Sequence, residues 1–421
     1  MTLRLRWFAW VGLLIIVGAL TGELRQTCAQ TLNEGWSKLE ETFNRGARNL
    51  TLGFTKGSRV DPNDKNHVEA IDLLAKTLTY GVYLQKLEMK PNEIAKEFDK
   101  FSSLIDRDIL KSRDAQAMQT FVEIFRDKIR IHALEVIQFK NARPIHKLYN
   151  ARVLAKIAEL GQKELADTLL TVLKDPQQND GVRYWMFNGL TTLIPQLQPP
   201  QQAKCAEVLV EFLEQKKGPG KNAAPEEIEG FRFFRREAIR ALAKIHTPAI
   251  NEKVRPALVL ARFAGNDMSI QPPPRVDERV EAAIGLAHMQ APPKDKQYQV
   301  DYAAGQIAKC LGVLAQAAES ERANRGEVQA LPLHPWRYLA AQLKEALEDL
   351  KKNNNQNQYV VKIVERGVRL LNQVIKGEVI DRNELPWWTS PESDPPSKEL
   401  FQGSADSVVK PGQPDETSPE K

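Results

Sequence analysis

Residues 175–190 read DPQQNDGVRYWMFNGL, and the fold follows from how this stretch divides. Asp175-Pro176 closes one helix, because proline cannot supply an amide hydrogen to a helix interior and restricts the residue before it. Gly181 then opens a second helix, with Val182 and Arg183 in its first turn. Counting from Arg183, small or apolar residues stand at +3, +6, +7 and +10: Met186, Gly189, Leu190 and Leu193. The same offsets from Arg235 give Ala238, Ala241, Leu242 and Ile245, and from Arg279 they give Ala282, Gly285, Leu286 and Met289. Small side chains at +3 and +6 let neighbouring helices approach closely, and the larger residue at +7 fills the space between them.

An arginine opening a helix after an Asp-Pro turn, followed by this spacing, resembles the second helix of a HEAT-type repeat, a relative of the armadillo-type fold. Arg152, with Ala155 and Ala158, resembles an earlier copy in which Glu159 takes the +7 place. The partner first helices are legible as Leu165 to Leu173, Gln201 to Leu213 and Val254 to Phe263. Arginine-to-arginine spacings of 31, 52 and 44 residues show that two repeats carry insertions, at Lys216 to Pro225 and Ala264 to Arg275. The resemblance covers residues 144–290 and implies an all-α solenoid of stacked helix pairs.

The pattern extends to both sides. Val68, Ile71, Leu74, Ala75 and Leu78 share one helical face, Pro91 opens a helix to about Ile105, and a longer helix over 114–139 buries Met118, Phe121, Phe125 and Ile129. These form an N-terminal helical region, 66–143. Helices over 302–320, 336–352 and 359–376 continue the array through 385, the last two separated by the polar tract Asn353 to Gln358. Residues 30–65, rich in scattered glycines, read as a poorly ordered lead-in, and the proline, serine and acid content of 386–421 reads as a disordered tail.

Residues 1–29 have the form of a secretory leader: Arg4 and Arg6, an apolar stretch from Trp7 to Leu20, and the small-residue site Thr27-Cys28-Ala29. The apolar stretch is short for a membrane span, which favours removal over anchoring. Cys28 lacks the aliphatic and small residues that precede a lipid-attachment cysteine. The expected location is therefore extracytoplasmic, periplasmic or secreted, with a membrane anchor only if the leader is retained. The whole chain has a formal charge of +5; losing Arg4, Arg6, Arg25 and Glu23 with the leader leaves +3, well short of the basic excess of a nucleic-acid binder.

No constellation of a known chemistry stands out. The six histidines, His67, His132, His146, His246, His288 and His334, are scattered without a one-turn pair, and none precedes a glutamate. Gly218-Pro219-Gly220-Lys221 lacks the spacing of a phosphate loop, and no Gly-x-Ser-x-Gly elbow occurs. Cys205 and Cys310 sit on apolar faces, where a thiol acts as a small hydrophobe, so no disulfide framework is expected. No catalytic residue, metal ligand or cofactor is assigned.

Two features could serve a partner. Arg232, Arg236 and Arg240 recur every four residues on one helix face, with Arg235 beside them. The ordinary reading is a solvated face balanced by Glu229 and Glu237. The HEAT resemblance implies that second helices line the concave side, where arginine forks could grip the carboxylates or phosphates of an acidic partner. Trp387 and Trp388 would cap the end of the stack or act as an exposed aromatic anchor. The expected function is thus a non-catalytic interaction or scaffold protein for a protein or acidic cell-envelope partner. The alternatives are an enzyme with catalytic groups dispersed in the groove and an envelope tether.

Overall fold

The computed structural model describes residues 43, 45–84, 91–111, 115–161, 163–215, 218–220, 222–291, 297–325, 335–380, 394–403 and 408–409. Among them lie fourteen α-helices and no strand. They are α1 (Arg45–Thr55), α2 (Lys65–Leu84), α3 (Pro91–Ser103), α4 (Ala115–Gln138), α5 (Pro144–Ile157), α6 (Lys163–Lys174) and α7 (Asp180–Leu193), followed by α8 (Pro199–Glu214), α9 (Pro225–Leu242), α10 (Pro256–Ala264), α11 (Val276–Ala287), α12 (Val300–Arg325), α13 (Pro335–Asn353) and α14 (Gln358–Lys376). The architecture is an α-solenoid in which helices pack as neighbouring pairs.

Proline sets many of the helix starts. Pro91, Pro144, Pro199, Pro225, Pro256 and Pro335 each stand first in a helix, where the missing amide hydrogen has no intrahelical partner to lose and the fixed φ is already helical. The tract read as a loop between the last two helices supplies a cap: the Asn357 side chain accepts from the amides of Tyr359 and Val360 at 3.1 and 3.2 Å. Gly377, at φ 72°, ends α14 in the left-handed conformation that glycine adopts without strain.

The chain forms two compact units, 1–168 with 177–189, and 169–176 with 190–421. In the first, α4 packs against both α2 and α5. Phe121, Phe125, Ile129 and Ile71 are fully buried there, and the Phe121 and Phe125 rings stack at 5.4 Å. Two polar ties fix α5 to α2: the Tyr149 hydroxyl donates to the Leu78 carbonyl at 2.9 Å, and the Asn150 amide to the Thr79 carbonyl at 3.3 Å. The lead-in expected to be poorly ordered contains α1, which buries Thr51 and Phe54, and Phe54 packs on Phe121 at 6.2 Å. Thr51 and Phe54 of α1, with Phe43 just before it, supply the burial that its low average hydrophobicity conceals.

In the second unit the helix pairs form two rows. Helices α8, α10 and α12 follow one another in one row, and α9, α11 and α13 in the other, with α8 against α9 and α10 against α11. The predicted repeat positions fall where the rows meet: Ala238, Ala241, Leu242, Ala282 and Leu286 are fully buried. Gly285 marks the tightest approach, because a Cβ placed there would stand 2.5 Å from the Ala243 Cβ and 2.8 Å from its Cα.

Within the stretch 386–421, read as a disordered tail, the described residues 394–403 and 408–409 pack against the helices. The segment 394–403 docks along the start of α12, burying Leu400 and Phe401. The Gln299 amide donates to the Leu400 carbonyl at 2.8 Å, the Gln402 amide to the Gln297 carbonyl at 2.9 Å, and Ser397 bonds through its amide and hydroxyl to the Asp301 carboxylate at 2.8 and 2.9 Å. Further on, the Val409 amide donates to the Tyr302 hydroxyl at 2.8 Å. Composition averaged over the segment hides two adjacent apolar residues, and two suffice when the backbone finds partners on both sides. Residues 1–42, which include the leader, and Trp387 and Trp388 lie outside the described residues.

Two expectations follow. Gly285→Ala should destabilise the protein by about 1–3 kcal/mol through overpacking, whereas Gly230→Ala, in a helix with no atom near its added methyl, should stabilise it by up to about 1 kcal/mol. Opposite shifts of the thermal midpoint would be measured by circular dichroism. In the same assay Leu400→Ala should cost about 2–5 kcal/mol, a loss that a disordered tail would not show.

Candidate functional site

The arginine stripe of α9 forms one wall of a cleft of about 710 Å³ in the second unit. Arg232, Arg236 and Arg240 face it, and the opposite wall comes from the start of α13, with Trp336, Tyr338 and Leu339. Pro273, Pro274 and Arg275, from the end of the second insertion, line it as well. Its volume lies within the range of about 300–1,000 Å³ typical of ligand sites. Tyr338 is 58% exposed, large for a tyrosine beside a packed helix pair.

Each arginine of the stripe is held by acids, two from its own helix and two from the next repeat. Arg236 donates to Asp277 at 2.8 Å, and Arg240 to Glu281 at 2.6 Å and to Glu237 at 2.8 Å. Arg232 bonds to Glu229 at 2.9 Å and to the Pro273 carbonyl at 3.1 Å, and Glu229 also pairs with Arg275. Behind this row Arg235 meets Glu278 in a two-pronged pair at 2.6 and 3.0 Å and donates to the Pro272 carbonyl at 2.9 Å. Arg235 and Glu278 are almost fully buried. The stripe is therefore a ladder of alternating charges joining α9 to α11, as well as a wall of the cleft.

The ladder sets the charge states. Burial alone would raise Asp277, but the hydrogen bonds and charges of Arg275 and Arg236 overcome it and hold the carboxyl below the ordinary range. Burial pushes Glu281 up, and the charge of Glu237 adds to that, against the pull of Arg240. Arg240 is disfavoured by burial yet held more firmly protonated by Glu281 and Glu237. The guanidinium groups are thus fixed in place before any ligand arrives. Each terminal guanidinium nitrogen carries two hydrogens, so one bond to an acid leaves the second for a further acceptor.

The repeat arginines have a structural task that periodicity did not reveal. Arg279 donates to the Ala264 carbonyl at 3.2 Å, and Arg235 to that of Pro272, so both satisfy backbone oxygens around the second insertion. Sequence reading found the arginine stripe but missed Asp277, Glu281, Trp336 and Tyr338 as its neighbours. The available signal was the acid run Asp277-Glu278, with Glu281 one turn on, in the second helix of the next repeat.

The other sites considered lie apart from the cleft. His246 and His288 stack at 5.5 Å at corresponding helix ends, and His132 bonds to Asp72 at 2.9 Å and to the Tyr80 hydroxyl at 3.1 Å in the first unit. Among the described residues no group of three or more His, Cys, Asp or Glu side chains is placed to hold a metal ion. Cys205 and Cys310 are buried thiols outside any disulfide, and burial pushes the Cys310 thiol up to about 11. A thiol so poorly ionised at neutral pH is a weak nucleophile.

Asp277, with its folded pKa depressed, contributes stability that is present above the unfolded carboxylate pKa and is lost as pH falls through the folded value. Asp277→Asn should cost about 1–3 kcal/mol at pH 7, and the gap to wild type should narrow as the pH falls from about 7 to about 3. Denaturant melts at both pH values would check this; a gap that stays constant would show that Asp277 acts through packing alone.

The sequence matches no protein-family model, and no curated protein is similar enough to it to count as a relative.

Proposed function

We propose that this chain is a non-catalytic interaction protein working outside the cytoplasm, and that its cleft holds an extended acidic segment of a protein or cell-envelope partner. The observation that carries this reading is the pairing, across one cleft, of Arg232, Arg236 and Arg240 with Trp336 and Tyr338. Arginine and aromatic side chains dominate the energetic centres of protein interfaces, because each offers a large contact area together with directed hydrogen bonds. Prolines on the third side, Pro273 and Pro274, give a rigid apolar floor that loses little entropy on binding.

The preference for carboxylates follows from the lining, in which Arg232, Arg236, Arg240, Arg275 and Arg279 outnumber Asp277 and Glu281. A guanidinium already ordered by an acid loses little further freedom when it binds a second one, and its planar fork matches a carboxylate. A cationic segment would meet the same arginines unfavourably. The extracytoplasmic part of the proposal rests on the leader-like residues 1–29. No helix among the described residues is long and apolar enough to cross a membrane.

Selection of random peptides on the immobilised protein would test the cleft reading. Enriched peptides should carry Asp or Glu next to proline or aromatic residues. Their binding should weaken about tenfold or more in Tyr338→Ala, consistent with the cost of removing an aromatic interface centre. It should also fall as salt rises. Enrichment without regard to charge, or binding indifferent to Tyr338, would overturn it.

A further inference from the structure

A second cavity, of about 410 Å³, lies in the same unit between α8, α9, α10 and residues 269–271. Its walls are Phe212, Phe231 and Phe263, with Val259 and Ile270 between them. Three phenylalanine rings around one space favour a flat apolar body, because offset and edge-to-face ring contacts add to the gain from burial.

Both repeat insertions meet beside this cavity. Residues 269–271 of the second insertion line it, and Gly218 of the first stands so close that an added Cβ would come within 2.8 Å of the Gln271 carbonyl oxygen. Only glycine allows that approach without a shift of the backbone. In repeat proteins, insertions commonly gather on the binding face.

The polar part of the wall decides the ligand class. Arg262 is fixed by Asp267 at 2.9 Å and by the Ser269 hydroxyl at 2.8 Å, and its remaining arm faces Glu214 at 3.6 Å. That last separation is too long for a hydrogen bond. Burial holds the Glu214 carboxyl above its ordinary range. The other cation in the wall, Arg235, is already matched by the buried Glu278. Two guanidinium groups thus face three carboxylates, so an anion brought in would lose its hydration without a partner. An uncharged group able both to accept and to donate could complete the wide gap, accepting from Arg262 and donating to Glu214.

We propose that this cavity binds a small neutral amphiphile, with an aromatic or similarly flat apolar body among the three phenylalanines and an amide or hydroxyl head between Arg262 and Glu214. This site is separate from the arginine cleft, and the proposal does not depend on the function assigned there.

Titration of the full chain with naphthalene-2-carboxamide and 2-naphthylmethanol, followed by ligand-observed nuclear magnetic resonance, tests it. Both should bind saturably, and 2-naphthoate at least about tenfold more weakly, as expected where an anion enters without a partner. Val259→Trp should fill the cavity and abolish binding; Ile270→Trp, on the loop, serves the same purpose if the helix variant fails to fold. Glu214→Ala should weaken the amide severalfold while leaving the circular dichroism unchanged. Absence of saturable binding, equal binding of 2-naphthoate, or binding that survives a folded cavity-filling variant would each overturn the proposal.

Discussion

The buried pair between Arg235 and Glu278 is the contact on which the middle of the second unit depends. It spans two successive repeats, α9 and α11, with two short hydrogen bonds. A third arm of Arg235 reaches the Pro272 carbonyl. A buried ion pair adds little net stability over a well-packed apolar pair, because both partners must be stripped of water. Its contribution here is register. Removing either partner would strand a charge in the interior, so α11 can slide along α9 only at a cost of about 3–5 kcal/mol. The closeness of the backbones at Gly285 and Ala243 acts in the same sense, since a shift of one residue would place a larger side chain at the tightest point.

With the register fixed, the outer charges fall into place. Asp277 and Glu281 flank Glu278 on α11, and Arg236 and Arg240 follow Arg235 on α9, so locking the inner pair aligns the outer ones. The most exposed members, Glu229 with Arg232 and Arg275, gain little from their own ion pairing. The alignment of the outer charges nevertheless gives a row of immobilised guanidinium groups along one cleft, which a helix with unpaired arginines would not offer. The same charge ladder thus connects packing to recognition: the inner rung holds two repeats together, and the outer rungs present donors.

Much of this was legible in the residues. Small residues at fixed offsets from Arg183, Arg235 and Arg279 identify the second helices, and Pro91 gives the start of α3, because both signals are local. The docking of Leu400 and Phe401 was not legible, since it depends on a groove formed by residues about a hundred positions earlier. The partners of the arginine stripe lay beyond reach for a similar reason. Periodicity shows that Arg232, Arg236 and Arg240 share a face, but whether that face meets solvent, acids or aromatic rings is decided by the neighbouring repeat. Glu229 and Glu237, the balancing acids that lie in the same helix, were visible in advance; Asp277, Glu281, Trp336 and Tyr338, which lie in other helices, were not.

The second insertion shapes both concave sites. Its residues Ser269, Ile270 and Gln271 line one cavity, and Pro273, Pro274 and Arg275 line the other, so one loop of about ten residues forms a wall of both. Two repeat arginines hold it from below, Arg235 at Pro272 and Arg279 at Ala264. A loop anchored at both ends by buried side chains is ordered before any ligand binds, which removes an entropic cost that a free loop of that length would carry. The extra residues that break the repeat spacing are therefore the ones that give an otherwise regular helical stack its two concave sites, and the arginines that define the repeat are the ones that hold those residues still.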